Sequence, residues 1–432
     1  MSSISRRAFI GTGVAAAVVP ATAFAGSAAQ AAGQRAPAIL TNLPDVAVVG
    51  SGAFGAWTAL SLRERGAKVT LLDAYGPGHA RATSCDEVRQ IRMSYGDREV
   101  YSRSALKAME IWKARQQEFG RKLLYPTGRL VMRQEWTKEL EDQKQVFERL
   151  AIAFEVLQPA EMSKRYPQVN FEGVGVGFLD VNAGLLKARE AIIAVTEAFE
   201  RKGGTIQIAR ALPGAASGRA LQAITLNGRD AFAAGSFVFA CGPWLKLVFP
   251  KLLGTMISTG RVEIAYIGSP AGDPSYRAGV LPNLSEEGTI PAHPGEGAYT
   301  QSDIDAGLKI ARGGERIDID MDRDERVVSA RQISRVHEYV RLRFPGLKNQ
   351  PIVATRVCQS DASTNSHFIL DRHPDHDNVW IAGGGSGHGF KHGPVVGEYM
   401  ADRVTGQPPV PELEKFFALA GRPARRPSTD QG

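Results

Sequence analysis

Residues 45–73 read DVAVVGSGAFGAWTALSLRERGAKVTLLD, and this stretch determines the fold that we expect for the chain. Its pattern predicts a short buried strand, a glycine turn, an Ala- and Leu-rich helix and a second strand. A strand that runs directly into a turn and a helix brings backbone N–H groups and the positive end of the helix dipole to one point, which suits a pyrophosphate. Gly50 allows the tight turn, Gly52 lets the backbone approach phosphate closely, and Gly55 lets the helix pack on the strand.

An acidic residue stands at the end of the second strand. Asp73 follows the glycines by about the twenty residues at which a carboxylate can accept a hydrogen bond from a ribose hydroxyl. We therefore predict that the unit binds a dinucleotide, with Asp73 at the ribose. The alternative, a glycine-rich turn in some other α/β unit, leaves Asp73 unexplained. The residues predicted to surround the pyrophosphate are Gly50, Ser51, Gly52, Ala53, Phe54 and Gly55.

The amino terminus has the pattern of a targeting segment. Ser5-Arg6-Arg7-Ala8-Phe9-Ile10 precedes a weakly apolar run and then small residues, as in a twin-arginine export signal, which we place at residues 1–32. Such a signal predicts that the twin-arginine export machinery carries the folded, cofactor-loaded protein to the periplasm or the extracellular space. The apolar run is short and interrupted by glycine and proline, so we expect no stable membrane anchor. The alternative is a disordered tail that contains two arginines by chance.

The composition narrows the class of protein. With 432 residues, 43% hydrophobic and 22% charged, the chain is long enough for a globular protein of two domains. The formal net charge is +7, but the basic residues are dispersed, so we expect no nucleic-acid partner, whereas a small anionic substrate would benefit slightly. Three cysteines, Cys85, Cys241 and Cys358, are too few for a disulfide framework, and we predict no metal site.

Helical and strand patterns alternate along the chain. Helical periodicity is clear at residues 56–65, 100–119, 135–151 and 186–202, and short apolar strands are expected at 236–240 and 378–382. Strands that alternate with helices, with more β-rich sequence between them, predict an α/β fold in which a parallel-sheet nucleotide domain is assembled from separate segments. The turn-rich stretch 267–297 predicts a long loop over the second domain.

The predicted domains are discontinuous in sequence. The Rossmann-like nucleotide domain comprises residues 44–119, 181–254 and 346–410. The second domain is an α+β substrate domain on a mixed or antiparallel sheet, and it comprises residues 120–180 and 255–345. Residues 411–432 are predicted to be a C-terminal tail.

A second glycine-rich motif lies near the carboxyl end. Residues 383–391 read GGGSGHGFK and follow a predicted strand. A glycine run lets the backbone approach a flat ring, and a helix that begins near Phe390 would aim its positive end at that ring. In a flavin this is the side on which reduction places negative charge. Two glycine-rich junctions are difficult to explain with a nicotinamide cofactor alone, so the pattern favours a flavin.

With these two motifs the chain resembles the FAD-dependent amine oxidases of the D-amino-acid-oxidase superfamily, most closely the branch of monomeric sarcosine oxidase and N-methyltryptophan oxidase. The resemblance is most specific in the first glycine motif, in Arg89-Gln90-Ile91-Arg92, and from Cys358 through Lys391. It implies an FAD-binding Rossmann-like domain and FAD joined covalently through Cys358, which precedes His367 by nine residues, as in that branch. A cysteine thiolate is well suited to add to an oxidised flavin. The alternative for Cys358 is a small buried side chain.

The resemblance also implies roles for basic residues. Arg92 and Lys391 would hold the substrate carboxylate, and Lys309 would lie above the flavin, where a fixed cation stabilises the charge that develops on oxygen. The alternatives are that Arg89 and Arg92 are ordinary exposed arginines and that Lys309 is exposed on an edge strand. The residues implied to contact the cofactor in this part of the site are Arg89, Gly387, His388, Gly389 and Lys391.

The implied reaction is hydride transfer from an amino acid or secondary-amine amino acid to flavin, with hydrolysis of the imine and reduction of O₂ to hydrogen peroxide. The sequence departs from the branch at Ser360, Gly313 and residues 290–293, where aromatic residues or histidine are usual, so the amine itself stays open. Cys85 stands where histidine is common, and its role is also open. The alternatives are a flavin dehydrogenase that reduces a quinone or cytochrome, a nicotinamide-dependent dehydrogenase, and a non-catalytic flavoprotein that retains the fold.

Overall fold

A computed structural model of the chain describes residues 45–291, 296–313 and 319–423. The predicted export signal at residues 1–32 lies outside the described residues. The helices in the described part are α1 (Ala53–Glu64), α2 (Glu99–Glu118), α3 (Lys138–Arg149), α4 (Pro159–Arg165), α5 (Ala188–Arg201), α6 (Leu245–Val248), α7 (Pro250–Leu253), α8 (Ala330–Arg343), α9 (Gly393–Val404) and α10 (Pro411–Phe417). The four helices predicted from periodicity are confirmed as α1, α2, α3 and α5.

The strands fall into several sheets. In chain order they are β1 (Val46–Val49), β2 (Val69–Asp73), β3 (Val88–Ile91), β4 (Leu124–Pro126), β5 (Arg129–Arg133), β6 (Phe154–Leu157), β7 (Val176–Asp180), β8 (Gly184–Lys187), β9 (Thr205–Ile208), β10 (Ala211–Pro213), β11 (Ala216–Ser217), β12 (Ala220–Leu221), β13 (Ala223–Leu226), β14 (Asp230–Ala233), β15 (Ser236–Phe239), β16 (Ile257–Ile267), β17 (Asn283–Glu287), β18 (Gly297–Gln301), β19 (Leu308–Arg312), β20 (Ile352–Ser363), β21 (Ile369–Arg372) and β22 (Val379–Gly383). Smaller sheets are β3-β8-β4, β10-β13-β14 and β11-β12.

The first large sheet has the strand order β21-β22-β15-β1-β2-β9. Its strands are parallel except β21, which is antiparallel to β22. All four residues of β1 are buried, as expected for a central strand covered on both faces. Helices α1, α5 and α9 pack together on one face of this sheet. The predicted parallel nucleotide-binding sheet is therefore confirmed.

The second large sheet has the order β20-β16-β19-β18-β17-β5-β7-β6 and is mixed, since β17 and β5 pair in parallel while the other pairs are antiparallel. Helix α8 packs on it over a separate apolar core. Inside this core the guanidinium of Arg343 pairs with Glu286 at 2.8 Å, and both side chains are buried. This arrangement confirms the predicted fold class of a nucleotide-binding α/β sheet with a second, mixed sheet.

The strands of the two large sheets come from the predicted domain ranges with one exception. Strand β20, inside the range 346–410 assigned to the nucleotide domain, pairs along its length with β16 in the second sheet. The long loop predicted at residues 267–297 is wrong in part, because β17 lies within it and pairs with β5 and β18. Helix α10 lies in the range predicted as a tail and buries Phe417, while residues 424–432 lie outside the described part. The domain boundaries otherwise stay a prediction.

The first testable consequence concerns the contact between the glycine turn and helix α1. A Cβ atom on Gly55 would lie 1.8 Å from the backbone oxygen of Gly50, which cannot move without opening the turn. We expect Gly55→Ala to lower the free energy of unfolding by about 3 kcal/mol, as for an overpacked core site. Chemical denaturation measures this change.

The matched control is Gly120→Ala. Gly120 has φ +64°, and a Cβ atom there would meet no other heavy atom within 4 Å. This substitution carries only the strain of a left-handed backbone, about 1 kcal/mol. An equal loss of stability for the two variants would contradict the close packing of α1 on the turn.

Candidate active site

A cavity of about 610 Å³ lies between the glycine turn, the second glycine motif and the face of the second sheet. Most of the residues predicted for the site line it, and these are Gly50, Gly52, Ala53, Phe54, Asp73, Arg89, Arg92, Cys358, Gly387, His388, Gly389 and Lys391. Ser51, Gly55 and Lys309 do not line it. These three residues lie behind the residues that line the cavity.

The glycine turn leads into α1 with its backbone donors toward the cavity. Gly50 has φ +104°, a left-handed conformation that favours glycine. Gly52 is the N-cap of α1, and the helix has neither a side-chain cap nor an acidic residue in its first turn. An N-terminus that lacks any internal anion is suited to bind a phosphate.

Asp73 has a structural role beside the predicted contact with ribose. One carboxylate oxygen accepts hydrogen bonds from the N–H and the hydroxyl of Ser51, both at 2.8 Å. The other accepts from the N–H groups of Tyr75 and Gly76 at 2.9 and 3.0 Å. The carboxylate therefore ties the glycine turn to the end of β2. The spacing of Asp73 from the glycines predicts a contact with ribose but does not predict that Asp73 holds the turn in place.

The second glycine motif offers a surface without side chains. A Cβ atom on Gly389 would lie 3.0 Å from the ring of Phe54, and one on Gly387 would meet no heavy atom within 4 Å. Gly387 has φ +75°, and the N–H of Gly385 donates to Asp361 at 3.1 Å. The glycine backbone of the second motif and the uncapped N-terminus of α1 both border the cavity, and together they fit a dinucleotide that carries a flat ring.

Arg92 and Lys391 meet around one aromatic side chain. The ammonium of Lys391 donates to the Tyr95 hydroxyl and to the carbonyl of His388, both at 2.8 Å. The guanidinium of Arg92 lies 4.3 Å from the centre of the Tyr95 ring. Burial, then Arg92 and Arg129, lower the pKa of Lys391. The structure thus brings together the two cations predicted to hold a carboxylate, and both Arg89 and Arg92 are partly buried rather than ordinary exposed residues.

A third cation, Arg129, lines the same cavity and was not predicted. Its guanidinium donates to the hydroxyls of Ser94 at 2.6 Å and of Ser285 at 2.8 Å. Burial and then Arg92 lower the pKa of Arg129 to about 9. An arginine at the start of a strand carries no sequence signal of this kind, because only the parallel pairing of β5 with β17 brings Ser285 beside it.

Lys309 is buried and belongs to a hydrogen-bonded group around Asp86. Its ammonium donates to Asp86 at 2.6 Å and to the carbonyl of Val88 at 3.0 Å. The same carboxylate accepts from Arg89 and from the hydroxyl of Tyr266, each at 2.5 Å. Burial alone would raise the pKa of Asp86, but Lys309 and Arg89 hold it well below its usual range. The alternative of an exposed lysine on an edge strand is wrong, since β19 lies between β16 and β18.

The three cysteines have different surroundings. Cys358 is buried on β20 at the cavity wall, and its sulfur accepts an N–H from Arg89 at 3.3 Å. Cys241 also lines the cavity, and burial raises its pKa to about 12. Cys85 is half-buried, its thiol donates to the carbonyl of Gly78 at 3.4 Å, and burial raises its pKa. Only Cys358 has a cation as a direct donor to its sulfur within the described part of the chain.

Among the helices of residues 45–291, 296–313 and 319–423, none combines the length and the apolar character that crossing a bilayer requires. The same residues contain no group of three or more His, Cys, Asp or Glu side chains placed to bind a metal ion.

Comparison with known proteins gives consistent results. A family model described as FAD dependent oxidoreductase matches residues 45–403. Peroxisomal sarcosine oxidase of Mus musculus is 27% identical over 383 residues, which cover 87% of this chain and 96% of that protein. N-methyl-L-tryptophan oxidase of Salmonella heidelberg is 24% identical over 377 residues, covering 86% and 97%. The structure of L-proline dehydrogenase from P. horikoshii aligns with a TM-score of 0.75, 20% identity, and coverage of 88% and 97%.

The site analysis predicts that Asp86 is required for stability. Asp86→Asn removes the counter-ion of Lys309 and Arg89 while those cations stay buried, which should lower the free energy of unfolding by about 3–5 kcal/mol. Glu87→Gln is the matched control, because the neighbouring Glu87 pairs with Arg356 at 2.7 Å through half-exposed side chains. That pair should contribute less than about 1 kcal/mol. Chemical denaturation measures the free energy of unfolding of both variants. Equal losses of stability would show that Asp86 has no special role as a counter-ion.

Proposed function

Because the chain belongs to the family of FAD-dependent oxidoreductases, we propose that it oxidises the C–N bond of an amino acid or N-substituted amino acid and passes the electrons to O₂. The enzyme class follows from the family and from relatives that are amine oxidases. The proposal adds the substrate, the acceptor and the attachment of the cofactor. The observation that carries it is the meeting of Arg92 and Lys391 around Tyr95, directly beside the second glycine motif.

FAD would be held by both glycine motifs. The uncapped N-terminus of α1 would take the pyrophosphate, and Asp73 would face the ribose. The backbone of Gly385, Gly387 and Gly389 would lie along the ring system. When bound, FAD supplies a hydride acceptor for the carbon next to the amine nitrogen. The protein then has to bind the substrate, orient that carbon and exclude water.

Arg92 and Lys391 would orient the substrate. A guanidinium presents a planar fork to a carboxylate, and an ammonium adds a point charge. Tyr95 fixes both cations, since it lies under Arg92 and accepts a hydrogen bond from Lys391. A carboxylate placed there is anchored close to the second glycine motif. Holding the reacting carbon in this way is the main contribution that residues of this kind make to the rate.

Cys358 would attach the flavin covalently. Its sulfur faces the cavity and accepts an N–H from Arg89. That guanidinium is itself fixed by Asp86 and by the carbonyl of Thr83, at 2.5 and 2.8 Å. The thiol in turn donates to Asp86 at 3.7 Å, so these neighbours hold the sulfur, a potential nucleophile, in place at the cavity wall. A covalent link would keep the flavin on the protein after export by the twin-arginine route, which we propose from Arg6 and Arg7.

Oxygen is the proposed acceptor because Lys309 and Arg89 give the region around Cys358 a positive charge. Asp86 cancels one of these two charges, so one remains. A second candidate is a dehydrogenase that reduces a quinone or cytochrome. It is favoured by the pairing of Lys309 with Asp86 and by the position of Lys309 behind the cavity wall.

The attachment can be tested by acid precipitation of the purified protein. We expect the yellow colour to remain in the pellet for the wild type and to appear in the supernatant for Cys358→Ser. Cys241→Ser is the control, since Cys241 also lines the cavity but its thiol donates to the Val49 carbonyl at 3.5 Å. Colour released from the wild type by acid would refute covalent attachment while leaving the FAD assignment in place.

The reaction can be tested in two halves. Without oxygen, a panel of N-methyl and cyclic amino acids should bleach the flavin of the holoprotein, because the cavity presents cations to a carboxylate next to the ring site. Failure of every compound would reject the substrate class and favour a non-catalytic flavoprotein. On admission of air, stopped-flow absorbance should show rapid return of colour and one hydrogen peroxide per turnover. Slow return would favour the dehydrogenase.

A further inference from the structure

We infer that the substrate carries two acidic groups and that Arg129 binds the second one, a carboxylate. This inference rests on the proposed function, in which Arg92 and Lys391 take the first carboxylate. It assigns a specificity-determining role to an arginine that neither glycine motif contains. The ligand class is an N-substituted amino dicarboxylic acid of the size of aspartate or glutamate.

The surroundings of Arg129 fix its guanidinium without neutralising it. Both terminal nitrogens donate to serine hydroxyls, those of Ser94 and Ser285, and a hydroxyl carries no charge. The third nitrogen, Nε, is buried and has no hydrogen-bond partner among the described residues. The side chain lines the cavity. The fork is therefore held in place and keeps its full positive charge at the cavity wall.

The acidic residue opposite Arg129 is not an adequate counter-ion. Asp180 is the cross-strand partner of Arg129 in the pairing of β5 with β7. One of its oxygens accepts the N–H of Met93 at 2.9 Å, the other is buried and has no hydrogen-bond partner among the described residues, and Asp180 forms no ion pair with Arg129 there. Burial raises the pKa of Asp180, whereas the N–H of Met93 and the charges of Arg129 and Arg92 act in the opposite direction. Glu139, the other acidic residue near Arg129, pairs with Arg133.

Three other shielded arginines have a carboxylate at hydrogen-bond distance, whereas the buried Arg422 is held by the side-chain oxygen of Asn365 and by carbonyls. Arg343 pairs with Glu286 at 2.8 Å, Arg312 pairs with Glu296 at 2.6 Å, and Arg89 pairs with Asp86 at 2.5 Å. A shielded cation without a counter-ion is costly, so such pairs are the usual solution. At Arg129 the space that a carboxylate would fill is the cavity. An anionic group of the ligand is then the missing partner.

The cavity wall also carries more positive charge than a single substrate carboxylate would balance. Arg92, Arg129 and Lys391 act on one another electrostatically, since Arg92 and Arg129 both lower the pKa of Lys391. No carboxylate in the described part of the chain pairs with any of the three. One substrate carboxylate on Arg92 and Lys391 leaves Arg129 unmatched. The wall near it is polar, with Ser285 and with Gln301, whose buried Oε1 has no partner in the described residues.

The first arm of the test measures anaerobic bleaching of the holoenzyme. The substrates are N-methylglycine and N-methylalanine, with one carboxylate, and N-methylaspartate and N-methylglutamate, with two. We expect the wild type to reduce its flavin at least about 30-fold more efficiently with one of the dicarboxylates, since a charge-assisted bidentate contact is gained. Arg129→Met should remove this preference, measured as the ratio of the dicarboxylate to the monocarboxylate efficiency. Equal efficiency for both classes in the wild type overturns the inference.

The control variant is Arg133→Met. Arg133 lies on the same strand and changes the net charge equally, but it pairs with Glu139 at 3.0 Å and does not line the cavity. It should keep the preference for dicarboxylates, which separates a local contact from a general loss of charge. Loss of the preference in this variant as well would overturn the inference. Flavin content and thermal unfolding show whether each variant is folded.

The second arm measures binding without oxidation. Acetate, succinate and glutarate are titrated into the holoenzyme, and the shift of the flavin spectrum gives each Kd. We expect succinate or glutarate to bind at least about 30-fold more tightly than acetate in the wild type and not in Arg129→Met. Tight dianion binding that survives Arg129→Met overturns the inference. If no amine bleaches the flavin but this Arg129-dependent binding is seen, the dianion site stands and the proposed oxidation fails.

Discussion

The contact between helix α1 and the glycine turn is the constraint on which the rest of the site depends. Gly55 must lack a side chain because the Gly50 oxygen occupies the place of its Cβ atom, and Asp73 fixes the turn through Ser51. A helix held this close points its N-terminus into the cavity. The same helix packs on α9, where a Cβ on Gly397 would lie 2.6 Å from the Trp57 backbone. The second glycine motif, which precedes α9, is thereby brought beside the first.

Electrostatics divides the basic residues of the site into two groups. Lys309 and Arg89 share Asp86, so their charges are partly balanced inside the protein. Arg92, Arg129 and Lys391 have an aromatic ring, hydroxyls and a carbonyl as partners, and none of these groups balances charge. The charges of the first group are partly balanced before a ligand binds. The second is completed only by an anion, and this difference supports the choice of an acidic substrate.

Much of the fold could be predicted from the sequence because its signals are local. The strand, glycine turn and helix near Gly50 and the glycine run near Gly387 each lie within one segment, and the family resemblance pointed to Arg92 and Lys391. Asp86 and Arg129 could not be predicted, since their partners are far along the chain. Lys309 is 223 residues from Asp86, and Ser285 is 156 residues from Arg129. The pairing of β20, which lies in the range 346–410 predicted for the nucleotide domain, could not be predicted for the same reason, because its partner β16 lies about a hundred residues earlier.

The second sheet therefore positions the site residues that the nucleotide-binding fold does not supply. Its strand β20 carries Cys358 to the cavity, β19 carries Lys309 behind the wall, and β5 carries Arg129 to the substrate side. Each of these residues is fixed by a group from another segment, so a shift of the sheet by one residue would turn all three away from their partners. The cofactor site can be built from two short motifs, whereas specificity requires the register of the whole sheet. Arg129, held by two hydroxyls and in an ion pair with no carboxylate of the described chain, is where that register places a cation for the proposed second carboxylate of the ligand.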